Sequence, residues 1–234
     1  MVSSESANLI LYEFNLSGGT KERVVFEIDI SPEKVIEPPE AIPEWAQLGF
    51  NKCRVCTLNS SDCAHCSMAL SVEQVVAAFG KNISTERVEV TVTTQQRTFK
   101  RECDLQTGIG SLLGLLMANS RCEVMEPLRM LVNFHIPFCN TQELLRRIVG
   151  AYLTQQYYNF KNGLETDWEM EKLKSLFEKL ATLNQDFVKR IQGTLEKDAV
   201  SNAILGFFAS SSMMAADFEA IMLKNESYML NGVR

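Results

Sequence analysis

The sequence predicts an α+β fold: N-terminal antiparallel β-hairpins with a cysteine metal-binding segment, followed by a mainly helical C-terminal half. Three observations predict it. Residues 8–30 alternate apolar and polar with a glycine turn in the middle, and residues 86–103 do so again. From about residue 105 the apolar spacing becomes helical and stays so. Strands come first and helices after, an order that argues against a parallel sheet with interleaved helices. The division expected is a β-rich region with the cysteine cluster and an apolar helix over 1–139, and a helical region over 140–234, packed as one globular unit.

In the first strand, Asn8–Leu16, residues Ile10, Tyr12, Phe14 and Leu16 share a face. Ser17–Thr20 supplies turn residues that tolerate positive φ, and Arg23–Ile30 resumes with Phe26, Ile28 and Ile30 on one side. Pro32, Pro38, Pro39 and Pro43 then rule out regular structure, so residues 31–44 read as an extended acidic connector. Ser71 is placed to cap a short helix ending near Phe79. Glu86–Thr94 is the clearest strand, with Val88, Val90 and Val92 on one face. A turn at Gln95-Gln96 leads to a partner strand at Arg97–Cys103.

The helical half opens with the apolar run Ile109–Ala118. It is too short to cross a bilayer, which takes about 20 residues, and Gly110, Ser111 and Gly114 suit it to close packing. Asn140 or Thr141 starts a helix with the stripe Leu144, Leu145, Ile148, Val149, Tyr152, Leu153 and Tyr157. Thr166-Asp-Trp-Glu169 has the reciprocal capping pattern and is expected to open a long helix with Leu173, Leu176, Leu180, Leu183, Phe187 and Ile191, ended by Gly193. A last helical segment runs from about Lys197, with a break expected at Ser210–Ser212.

Composition narrows the function. Hydrophobic residues make up 46% of the 234, enough for a sizeable core. The first fifty residues carry three Lys/Arg against nine Asp/Glu, and the rest of the chain is balanced. The net charge of −6 therefore sits at the N-terminus, which disfavours nucleic-acid binding. The start of the chain lacks the basic and apolar regions of a signal peptide, so a cytoplasmic location is expected, with no membrane partner.

Seven cysteines need an account. In a reducing compartment, clustered cysteines read as metal ligands or redox groups rather than disulfides. Cys53-Arg-Val-Cys56 and Cys63-Ala-His-Cys66 form two Cys-x-x-Cys pairs six residues apart. Each tight turn points two sulfurs inward, and two turns complete the tetrahedral sulfur set that zinc prefers. Zinc is the expected cofactor, with an iron–sulfur cluster as the alternative. Six residues make a short loop for four sulfurs to close. His65 is a substitute ligand or a hydrogen-bond donor to the ligands.

Other candidates are weaker. His135, in Phe134-His-Ile-Pro-Phe138, is a polar residue in an apolar string and reads first as a hydrogen-bonded core residue. Cys103, Cys122 and Cys139 read, taken singly, as buried thiols. Arg97, Lys100 and Arg101 around Phe99 resemble a single-strand-binding surface, but read better as an edge strand guarded against aggregation. No phosphate loop, nucleophile elbow or His-Glu-x-x-His pair occurs in the sequence.

Taken together, several strings resemble a bacterial family of uncharacterised proteins. They are the N-terminal strand pair, Pro43-Glu-Trp45, Cys53-x-x-Cys56-x-Leu58, Cys63, Leu112–Ala118 ending at Ser120-x-Cys122, and His135-x-Pro137-Phe138. Glu143, Arg146 and Tyr152-Leu153-x-x-Gln156-Tyr157 complete the likeness, which covers nearly the whole chain. It implies no activity. It does imply a ligand set of Cys53, Cys56, Cys63 and Cys122, since the family pattern has alanine at position 66. It also has glycine and proline where this chain has Arg121 and Glu123. Cys66 and Cys122 thus compete for the fourth ligand position.

The function expected is that of a metal-stabilised, non-enzymatic cytosolic protein that binds a protein partner or senses a signal. The alternative is an iron–sulfur or thiol-based redox protein using the cysteine cluster and His135.

Overall fold

The computed structural model describes residues 8–16, 22–32, 41–61 and 63–230. The turn expected at Ser17–Thr20 and most of the proline-rich connector lie outside them. Four antiparallel strands form one sheet: β1 (Leu9–Leu16), β2 (Glu22–Asp29), β3 (Arg87–Thr93) and β4 (Thr98–Asp104), in the order β2-β1-β3-β4. The register follows from the alternation. Tyr12 stands opposite Phe26 and Val92, and Phe14 opposite Val24 and Val90, so one face is continuously apolar. The other face carries Glu13 paired to Arg23 and Lys100 paired to Glu89. β4 is an edge, and its Arg97–Arg101 cations fit that place.

Two helices cover the apolar face: α1 (Ser67–Phe79) and α2 (Leu105–Ala118). Phe79 packs among Phe14 and Phe26. α2 approaches the sheet so closely that a Cβ at Gly108 would lie 2.8 Å from Val90 and 2.9 Å from Phe14. The small residues singled out in the sequence do other work: Ser111 hydrogen-bonds Tyr12, and Gly114 abuts Phe207. On its far side α2 packs against α5 (Ala199–Leu230), which lies against α4 (Glu171–Ile191). This double contact explains why α2 is apolar all round. α3 (Thr141–Lys161) packs on a 3₁₀ stretch at Glu126–Phe134. One hydrophobic cluster runs from Ile10 in β1 to Phe218 in α5.

Four local expectations are corrected. α1 begins at Ser67, with Cys66 at its N-cap, and Ser71 lies inside the helix donating to the Ser67 carbonyl at 3.0 Å. α4 begins at Glu171, five residues beyond Thr166. Asp167 is the capping residue, its carboxylate accepting from the amides of Glu171 and Lys172 at 3.0 and 2.8 Å across a left-handed Met170. Tyr157 is 50% exposed, and Gln156 is buried in its stead. Its Oε1 accepts from the Asp167 amide at 3.0 Å.

α5 does not break at Ser210–Ser212. Buried Ser211 donates to the Phe207 carbonyl at 2.7 Å within the helix, and the non-helical residue is Asp217. The segment Ala199–Leu223 is long and apolar enough to cross a membrane by length and composition, and a third of its apolar window is buried. Among the described helices α5 thus passes a length and composition test that the shorter α2 does not reach. α3 begins where the sequence predicts, with Asn140 as its N-cap, and the reciprocal capping box is formed there with Glu143.

The helix–sheet contact gives a direct test. Gly108→Ala should destabilise the protein by about 1–3 kcal/mol through overpacking. Gly110→Ala, whose Cβ meets nothing within 4 Å, should be neutral or stabilising by up to about 1 kcal/mol. Urea unfolding of the two variants measures the difference, and equal stabilities would contradict the close approach.

Candidate functional site

The cysteine segment is held between the sheet layer and α4. A single 3₁₀ turn at Glu44–Ala46 places Trp45 and Ala46 in the core. Gln47 bridges His65, Leu48 N donates to Ala64 O at 2.9 Å, and Cys66 N donates to Ala46 O at 2.8 Å. Between these ends Cys56 N donates to Cys53 O at 3.0 Å, the tight turn expected of Cys-x-x-Cys.

The link to α4 is buried and charged. Arg190 is 1% exposed, and its guanidinium donates to the carbonyls of Trp45 (2.9 Å), Gln47 (2.7 Å) and Leu48 (3.1 Å). Its Nε has no partner among the described residues. One helical turn earlier, buried Asp186 accepts from the Arg54 amide and side chain, each at 2.9 Å. Burial opposes ionisation of Asp186, but these Arg54 hydrogen bonds carry its pKa below the usual carboxylate value. The pair clamps the turn between Cys53 and Cys56 onto the helix.

Cys53, Cys56, Cys66 and Cys122 lie within electrostatic reach of one another, and Arg190 lies within reach of Cys53 and Cys66. Burial, reinforced by Cys66 nearby, pushes the Cys53 thiol up to about 12. Burial also raises Cys66 and Cys122, although backbone amides face each sulfur: Ala69 and Met68 for Cys66, Val124 and Met125 for Cys122. These are the opposite of the lowered values that activate redox thiols. The Cys63 sulfur donates to the His65 carbonyl at 3.0 Å. Of the sequence-predicted set, Cys53, Cys56, Cys66 and Cys122 are thus linked by their mutual electrostatic influence, and Cys63 by its hydrogen bond to the backbone beside Cys66. All seven cysteines are free, and among the described residues no three His, Cys, Asp or Glu side chains are already arranged around one point.

The two residues flanking Cys122 fit this setting. Arg121 has φ 64°, the left-handed region that glycine prefers, which accounts for glycine in the pattern the sequence resembles. Glu123 accepts a hydrogen bond from Thr57, joining the residue after Cys56 to the residue after Cys122.

His135 belongs to a different group. Tyr12 is fully buried, and its hydroxyl lies 2.6 Å from His135 Nε2 and 2.8 Å from Ser111 Oγ. The Phe138 amide donates to Ser111 Oγ at 3.1 Å. Burial, with Arg147 adding to it, lowers the His135 pKa to about 4, so the ring is neutral at pH 7. In the Nδ1–H tautomer, Nε2 accepts from the Tyr12 hydroxyl, whose oxygen accepts from Ser111; in the other tautomer both directions reverse. The phenol therefore stands between serine and imidazole, and the chain of bonds is satisfied as core structure. Asp186, Arg190 and this tyrosine carried no motif. Their only signal was polarity on an apolar stripe.

The chain belongs to a family defined so far only as a domain of unknown function. The model of that family, DUF6901, matches residues 10–229, which takes in the sheet, the cysteine segment and all five helices. No curated protein and no solved structure matches the chain significantly.

Two outcomes follow from these geometries. Arg190→Met should lower stability by about 3 kcal/mol or more, because three buried carbonyls lose their donor. Thermal unfolding unchanged from wild type would refute the clamp. For His135, the folded pKa lies below the unfolded value near 6.5. Its contribution is therefore fully present above pH 6.5 and is lost as pH falls toward 4. The loss should be on the order of 2–3 kcal/mol. Comparison with His135→Gln across that window isolates it, since the variant lacks this part of the pH dependence.

Proposed function

We propose that this is a zinc-stabilised, non-enzymatic cytosolic module that recognises a partner or a signal, with Cys53, Cys56, Cys66 and Cys122 as the thiolate ligands. The observation that carries the reading is the gathering of these four cysteines, from separate segments, beside the buried cation of Arg190. A zinc ion with four thiolates bears a net charge of −2, half of which is offset by a buried guanidinium whose partners are all neutral carbonyls. The amides facing Cys66 and Cys122 suit metal-bound sulfur, which accepts hydrogen bonds from its surroundings. Such a site clips the Cys53–Cys56 turn and the α1 N-terminus to the loop after α2, and so ties the sheet to the helical half. It stabilises the fold without supplying a reaction, and the Ser111–Tyr12–His135 chain is spent on packing.

Anaerobically purified protein should contain about one zinc per chain by elemental analysis. Cys66→Ala and Cys122→Ala should each lose the metal and lower Tm, on the order of 10 °C for a loss of 3–4 kcal/mol in a chain of this size. Cys63→Ala should keep metal and stability. If Cys63→Ala loses zinc while Cys66→Ala retains it, the ligand set is the one the family pattern implies. Protein holding neither zinc nor iron defeats the reading, and brown, iron-containing protein replaces zinc with an iron–sulfur cluster.

A further inference from the structure

The helical half encloses a cleft of about 580 Å³ between α2, the 3₁₀ stretch Glu126–Phe134, α3, α4 and α5. That size is in the range of small-molecule sites, about 300–1,000 Å³. Its wall is mostly apolar, with Leu115, Leu144, Leu180 and Phe207 among the lining residues. Its charge is one-sided: Arg101 and Arg147 line it, and no carboxylate does.

Both arginines gather around the segment Phe134–Cys139. Arg147 donates to the carbonyls of Phe134 (2.8 Å) and Ile136 (3.4 Å) and to the Cys139 sulfur (3.4 Å). Arg101 donates to the Phe138 carbonyl at 3.4 Å and lies over the Phe138 ring. Neither meets a carboxylate within salt-bridge distance among the described residues, and both line the cleft, Arg147 half-buried and Arg101 exposed.

A second observation comes from another wall. Asn184 on α4 lines the cleft, is 4% exposed, and its Oδ1 has no hydrogen-bond partner. Its amide nitrogen makes only a long 3.4 Å contact with Ser211, whose own hydroxyl is committed to the Phe207 carbonyl at 2.7 Å. A buried acceptor without a donor costs about 1–3 kcal/mol. Asn184 lines the cleft, but its Oδ1 has less than 1 Å² of accessible surface, so a ligand's donor reaches it only when the side chain turns toward the cleft.

We propose that the cleft binds an amphipathic carboxylate whose apolar body carries a hydrogen-bond donor. Its carboxylate is held by Arg147 and Arg101, its hydrocarbon lies against the leucines and Phe207, and its donor meets Asn184 Oδ1. This ligand supplies what the cleft lacks: negative charge, apolar contact and one proton donor. The site is separate from the cysteine group and does not depend on a metal there.

ω-Hydroxydecanoate is the probe, with decanediol lacking the carboxylate and decanoate lacking the terminal donor, all measured by isothermal titration calorimetry on the full chain. ω-Hydroxydecanoate should bind, and each of the other two about tenfold more weakly. Arg147→Gln should remove the advantage over decanediol, and Asn184→Leu the advantage over decanoate. Gly110→Leu should block binding altogether, because Gly110 lines the cleft and has open space in front of its Cα. Its far-ultraviolet circular dichroism and Tm should match the parent, which separates a filled cleft from a failed fold. No binding of ω-hydroxydecanoate would overturn the site. Equal binding of decanediol would overturn the anion, and equal binding of decanoate the donor. Unchanged affinity in folded Gly110→Leu would place the ligand elsewhere.

Discussion

Arg190 is the constraint on which the arrangement turns. A guanidinium cannot shed its proton, so burying one commits the surrounding backbone to hydrogen-bonding it. Three carbonyls between Trp45 and Leu48 do so, and that requirement fixes the path of the chain between the sheet and α1. Asp186, one turn away on the same face of α4, repeats the device with Arg54. A helix late in the sequence thereby positions a cysteine-bearing segment that precedes it by more than a hundred residues.

α2 has the complementary role. It is sandwiched between the sheet and α5, and each side sets its own condition. Gly108 admits Val90 and Phe14, and Ser111 meets the Tyr12 hydroxyl, on one side; Gly114 admits Phe207 on the other. The helix ends at Asn119, which donates to the Asp29 carbonyl at the end of β2, and the loop beyond it carries Cys122. The same packing that orders the sheet therefore delivers Cys122 to the neighbourhood of Cys53, Cys56 and Cys66.

The two candidate sites divide along this axis. The cysteine group joins the Cys53–Cys56 turn, the start of α1 and the loop after α2, and the ion proposed there is structural. The cleft lies among the helices, and its chemistry suits an organic anion. A protein that closes its fold with one site and recognises with the other needs no catalytic constellation. Membership in a family without a described activity agrees with any such division and selects none.

Local pattern by itself determined the strands and their apolar faces, the start of α3 and the apolar stripe of α4. In each case one face is buried, and burial imposes a period that can be read directly. Spacing singled out Cys53, Cys56, Cys63 and Cys66 and the resemblance added Cys122, but neither says which way a sulfur turns, because spacing reports nearness in sequence alone. Helix starts were misplaced where a side chain beyond the usual window did the capping, as Asp167 does for α4. The continuity of α5 through Ser210–Ser212 was decided by burial against α4 and by Ser211 bonding back to Phe207. Arg190, Asp186, Tyr12 and Asn184 acquired their roles only in the tertiary structure. A polar residue on an apolar stripe is informative only once its partners, or the lack of one, come from segments distant in sequence.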